Sequence, residues 1–106
     1  MAKYLACASY TTDGVKGLMK DKATGRRAAV AKLAESAGGK VEAFYFAFGA
    51  DDVVSLVELP DNASAAAFSL AVNAGGLAKL SITPLLTAEE MDGGIAKSVS
   101  YRPPGR

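Results

Sequence analysis

Residues 40–59 read KVEAFYFAFGADDVVSLVEL, two apolar runs on either side of Gly49-Ala50-Asp51-Asp52. Runs rich in Val, Phe, Tyr and Leu favour strands, and Gly with Asp supplies the reversal between them. Residues 40–48 and 53–59 are therefore expected to pair as a hairpin. If Gly49 lies opposite Asp52, Phe46 faces Ser55 and Ala43 faces Glu58. A slip of one residue sets Glu42 opposite Glu58, where like charges repel, so the first register is preferred. Side chains on a strand alternate between its faces. Phe44, Phe46 and Phe48 fall on one face of the first strand, and Val41, Ala43, Tyr45 and Ala47 fall on the other. Val53, Val54, Leu56 and Val57 repeat this two-sided pattern. A sheet with one wet face alternates more cleanly, so both faces of this hairpin need cover.

Upstream, residues 3–10 form a strand that stops at Thr11-Thr12-Asp13, a cluster suited to capping a helix. Val15, Leu18 and Met19 take helical spacing, and Val30, Leu33, Ala34 and Ala37 take it again. Between them Thr24-Gly25 is expected to restart the helix, because Thr caps a first turn and Gly is a poor interior residue. Gly38-Gly39 then ends it. Downstream, Leu59-Pro60-Asp61-Asn62 closes the hairpin and caps a second helix, with Phe68, Ala71 and Val72 on its apolar stripe and Gly75-Gly76 at its end. Residues 79–86 make a fourth strand, which Pro84 confines to an edge or a terminus. Thr87-Ala88-Glu89-Glu90 spells a capping box, so a short third helix follows with Met91 and Ile95 expected to face inward. The tail, residues 98–106, is extended at Tyr101-Arg102-Pro103-Pro104.

The order β-α-β-β-α-β is the ferredoxin-like α+β pattern. It predicts one domain over residues 1–106: a four-stranded antiparallel sheet, both main helices on one face, a short C-terminal helix and an extended tail. Two helices cover one face only. The other face is expected to meet a second subunit, sheet against sheet, in a homodimer or a higher even assembly.

Composition narrows the chemistry. Twelve basic against eleven acidic residues leave a net charge of +1, no general basic field, so neither nucleic acid nor membrane is an expected partner. The first ten residues lack the apolar stretch of a signal or a span, and Cys7 has no second cysteine, which together suggest the cytoplasm. The absence of histidine removes Ser-His-Asp and Cys-His relays and His-ligated metals. No metal and no cofactor is expected.

Several segments carry a family resemblance: residues 10–18 (Y-T-T-D-G-V-K-G-L), Arg26-Arg27-Ala28-Ala29-Val30, residues 44–49 (F-Y-F-A-F-G), Leu59-Pro60-Asp61-Asn62 and residues 101–105 (Y-R-P-P-G). Over essentially its whole length the chain resembles the GYD-domain proteins, small bacterial and archaeal proteins of unassigned function. They are grouped with the dimeric α/β-barrel superfamily, whose members pair ferredoxin-like sheets into a barrel, so the resemblance implies that assembly here. The family is named for a Gly, a Tyr and an Asp at the central hairpin. Gly49 and Asp52 match, but Ala50 and Asp51 stand between them and the tyrosine is missing. The resemblance brings no catalytic residue with it.

Candidate residues follow from residue chemistry. Asp51 and Asp52 are adjacent carboxylates that share a proton or hold a hard ion if their oxygens converge; the alternative is a hydrophilic turn. Tyr10, Tyr45 and Tyr101 are hydrogen-bond donors or weak acids if they line a cavity, and amphipathic core residues otherwise. Ser55, Ser81 and Thr83 interrupt apolar strands, either lining a pocket or bonding their own sheet. Arg26 and Arg27 suit an anion, or belong to a charged outer helix face. Cys7 is expected to be buried and inert, and Asn62-Ala63-Ser64 to be a helix start. The stiff segment at Tyr101-Arg102-Pro103-Pro104 suits docking on a neighbour.

Three functional readings stand side by side. The first is a small-molecule binding protein with Tyr45, Phe46, Ser55 and Arg102 as ligand-binding candidates. The second is a cofactor-independent enzyme of oxygenase or isomerase type, as the resemblance suggests, with Asp52 or Tyr10 carrying the proton. The third is an oligomeric interaction module with no cavity.

Overall fold

The computed structural model describes residues 1–106. In chain order the elements are β1 (Ala2–Tyr10), α1 (Thr12–Ser36), β2 (Lys40–Phe46), β3 (Val53–Leu59), α2 (Asn62–Ala74), β4 (Ala78–Leu85) and α3 (Ala88–Ile95). The strands form one sheet in the order β2-β3-β1-β4, antiparallel at each pairing. This is the ferredoxin-like α+β arrangement. Pro84 lies in β4, an edge strand, where its missing N–H costs no ladder bond. No helix is long and apolar enough to cross a membrane.

Local signals set most helix ends. The Thr11 side chain accepts from the Gly14 N–H at 3.2 Å, and the Asp61 carboxylate accepts from the Ser64 N–H at 2.8 Å. Thr87 and Glu90 cap each other reciprocally, at 3.1 and 3.0 Å. At the end of α1 the Gly39 N–H donates to the Ala34 carbonyl and the Gly38 N–H to the Glu35 carbonyl. That 6→1 and 5→2 pair is a Schellman closure, and it needs the positive φ of 86° at Gly38.

The core lies between the helices and one sheet face. Tyr4 and Ala6 of β1 and Val57 and Leu59 of β3 are buried there against Ala34 of α1 and Ala65 and Phe68 of α2. The opposite face, with Leu5, Cys7, Val54, Leu56, Ala43 and Tyr45, meets no helix.

Three expectations are corrected. Phe46 does not face Ser55, nor Ala43 Glu58: the register pairs Phe46 with Val53, Phe44 with Ser55 and Lys40 with Glu58, with a bulge between Val41 and Ala43. The hairpin answers to β1 and not to its own turn. Asp52 donates its N–H to the Ala8 carbonyl at 2.8 Å and accepts from the Tyr10 N–H at 2.8 Å, so it extends the β1–β3 seam and leaves a longer loop. Glu42 and Glu58 do come near each other, but Lys3 bridges them at 2.7 and 3.2 Å, which offsets their repulsion.

Second, α1 breaks at Lys22, not at Thr24-Gly25; Lys22 has φ 69° and ψ 160°. Third, Met91 and Ile95 do not face inward, being 52% and 74% exposed. Beyond Leu85 every residue is exposed except the half-buried Pro103. A radius of gyration of 16.8 Å, against about 13 Å for a compact chain of this length, agrees with a C-terminal arm that stands off the body.

Candidate functional site

The site grows from the break in α1. Before it, residues 12–21 are held at their start by close packing: Gly14 lies so near the Leu77 carbonyl that a Cβ there would collide with its oxygen. The Thr11 N–H donates to the same carbonyl at 3.0 Å. After the break the helix runs on over β2. An L-residue at positive φ with extended ψ is strained, and such strain persists only where the surroundings over-determine it. The two segments are thus separate helices that meet at a kink at Lys22.

The gap they leave is a cleft of about 290 Å³ whose wall includes Tyr10, Leu18, Asp21, Arg26, Val72 and Leu77. Beneath it a smaller cavity of about 90 Å³ shares Tyr10, Arg26, Leu33 and Val72 with the cleft, and reaches Phe44, Ser55 and Phe68. The lining is mainly apolar with three polar side chains. The Arg26 Nη1 lies 3.6 Å from the Asp21 Oδ2, a loose pair with both side chains partly exposed, of the kind that contributes little to stability. Tyr10 lines both recesses, and its backbone N–H is held by the Asp52 carboxylate. An apolar recess with one guanidinium, a loosely paired carboxylate and one tyrosine can enclose a hydrocarbon or aromatic body and hold one oxygen of it.

The structure distributes the other candidates widely. Ser55 lies on the cavity floor, 4% exposed, and its hydroxyl donates to the Ala6 carbonyl at 3.0 Å. Phe46 stacks edge-on against Phe44 with ring centroids 5.4 Å apart, and borders an open depression with Tyr45, Ala23, Thr24 and Arg27. Tyr45 is exposed on edge strand β2. Arg102 and Tyr101 are exposed in the tail and line none of these recesses. The Asp52 carboxylate holds the Tyr10 N–H and also lies outside them. Ser81 and Thr83 are exposed on β4. No group of three or more His, Cys, Asp or Glu side chains is placed to hold a metal ion.

Cys7 is half-buried on the open sheet face, and burial, with the Asp51 charge adding to it, pushes its thiol pKa up. At the far end of that face the hydrogen bond from Lys3, then that from Lys40, holds the Glu58 carboxyl below its ordinary value. The hydrogen bonds to Glu42 and then Glu58 raise Lys3.

Sequence reasoning singled out Tyr10 and Arg26 but did not join them, and it missed Asp21 and Val72. Gly14, in the first turn of α1, was the one available signal, since a glycine inside a helix can mark a close approach to another backbone, here that of Leu77.

No curated protein and no solved structure matches the chain. The family model described as the GYD domain matches residues 4–95, from β1 through the end of α3. That span includes β1 from Tyr4 onward, the other three strands, the break in α1 and the whole cleft, and on it the chain belongs to the GYD domain family.

Proposed function

We propose that this GYD-domain chain binds a small, mainly apolar organic molecule in the cleft at the break of α1, with the Arg26 guanidinium and the Tyr10 hydroxyl holding an oxygen of the ligand. The observation that carries this reading is the strained backbone at Lys22, which keeps open a recess that a continuous helix would close. The recess is near the lower end of the volumes that enclose small ligands. Proton transfer by Asp52 has less support, because its carboxylate is engaged by the Tyr10 N–H and lies outside the cleft.

The proposal includes self-association through the open sheet face. Leu5, Leu56, Val54 and Ala43 are apolar residues that no helix covers, and a second copy would remove them from water. Cys7 on that face is a built-in reporter: its alkylation should slow as protein concentration rises.

Val72→Trp tests the ligand reading, since it fills the cleft and places a single indole in a chain that has no tryptophan. Native mass spectrometry of the freshly purified wild-type protein should show a retained small molecule, which Val72→Trp and Arg26→Ala should lose while keeping their far-UV circular dichroism. Equal retention by both variants refutes the site.

A further inference from the structure

Helix α3 has a complete capping box, yet none of its residues is buried. Eight residues are too few for a stable isolated helix, and Gly93 and Gly94 weaken this one further. Its apolar residues Met91 and Ile95 are four apart, on one stripe. Glu89, Glu90 and Asp92 flank that stripe, with no basic residue anywhere in α3. A helix of this composition is complementary to a surface with an apolar stripe and a cationic border.

One such surface lies on the first segment of α1. Val15 and Met19 are also four apart and are 41% and 70% exposed. Lys16 and Lys20 form the adjoining row, with Asp13 and Asp21 at its two ends.

Within one chain the two cannot meet. Leu85, at the end of β4, pairs with Lys3, whereas α1 begins beyond Tyr10, which pairs with Ala78 at the other end of the sheet. In addition α2 packs on β4 while α1 packs chiefly on β2, so α2 covers the β4 side of the helical face and α1 the β2 side. Pairing α3 with a second α3 would bring six carboxylates together, three from each.

We propose that α3 of one copy docks on α1 of a second copy, with Met91 and Ile95 against Val15 and Met19, and with the acidic residues of α3 facing Lys16 and Lys20. Two copies that exchange arms make this contact twice. It is separate from pairing of the open sheet faces, because α1 lies on the opposite side of the sheet.

Directed disulfide formation in the full chain tests the contact. Met19→Cys protein and Met91→Cys protein, each also carrying Cys7→Ser, are mixed in equal amounts and oxidised with glutathione disulfide. The expected product is the mixed Met19→Cys to Met91→Cys dimer, at about tenfold or more over either like pair. A statistical mixture, a predominance of the Met91→Cys like pair, or no cross-link overturns the proposal.

A second measurement removes the contact without touching the core. Met91→Ser with Ile95→Ser should raise the dissociation constant for self-association by about tenfold or more in sedimentation equilibrium, with unchanged far-UV circular dichroism. Lys16→Glu with Lys20→Glu should weaken association similarly, and adding Glu90→Lys with Asp92→Lys should restore it. Association unaffected by the serine pair, or not restored by the charge exchange, rules out this interface.

Discussion

Replacing Gly14 with alanine isolates one contact on which the α1 wall of the cleft depends. The added Cβ would collide with the Leu77 carbonyl oxygen and lie 2.9 Å from the Leu77 carbonyl carbon and 3.1 Å from the Tyr10 Cδ1. Two of these atoms are backbone and cannot swing aside as a side-chain terminus would. The Leu77 oxygen also accepts from the Thr11 N–H at 3.0 Å and from the Thr11 hydroxyl at 3.2 Å, so moving it strains two hydrogen bonds. Overpacking costs about 1–3 kcal/mol, a weakened hydrogen bond adds roughly 1 kcal/mol, and the better helix propensity of alanine returns up to about 1 kcal/mol. The expected net loss is about 1–3 kcal/mol, which lowers the melting temperature by roughly 5–20 °C. Gly17→Ala, one turn further along the same helix, meets nothing within 4 Å. It should stabilise by about 0.5–1 kcal/mol through propensity alone. Thermal melts followed by far-UV circular dichroism read both. If Gly14→Ala raises the melting temperature as Gly17→Ala does, the approach of α1 to Leu77 is not as tight as the argument requires.

Other consequences are testable by similar means. Tyr4→Phe removes a hydroxyl that donates to the Asn62 Oδ1 at 2.7 Å from a side chain only 1% exposed; denaturant unfolding should show a loss of about 0.5–1.5 kcal/mol. Lys22→Gly relieves the positive φ and should raise stability by about 1 kcal/mol; a loss would mean that the lysine side chain supports the break. The Glu58 carboxyl is held below its usual 4.5 by Lys3 and then Lys40. Its contribution is therefore present above the unfolded-state value and is lost as pH falls through the lower folded value. Urea titrations in acid should show a shallower decline for Glu58→Gln than for the wild type. Lys3, raised above 10.5 by Glu42 and Glu58, has the opposite sign: its contribution is complete below 10.5 and disappears only as pH rises through the higher folded value.

What the sequence determined by itself is local. Thr11, Asp61 and the Thr87–Glu90 pair each satisfy an N–H within three residues, and Gly38 closes α1 over the turn before it. The ends of these elements were legible because both partners of every such bond lie side by side in the chain. From those ends the β-α-β-β-α-β order and the hairpin followed, while composition alone excluded histidine chemistry. Tertiary structure decided whatever depends on partners distant in sequence. The hairpin register follows from Asp52 binding the β1 backbone at Ala8 and Tyr10, which no turn rule contains. The break of α1 falls at Lys22, where packing and not capping chemistry selects the residue that bears the strain. Ser55 is spent on the Ala6 carbonyl, and Tyr10 and Arg26, sixteen residues apart, line one cleft. Met91 and Ile95 have the periodicity of a core stripe, and periodicity tells which face of a helix is apolar, not which surface it is meant to meet.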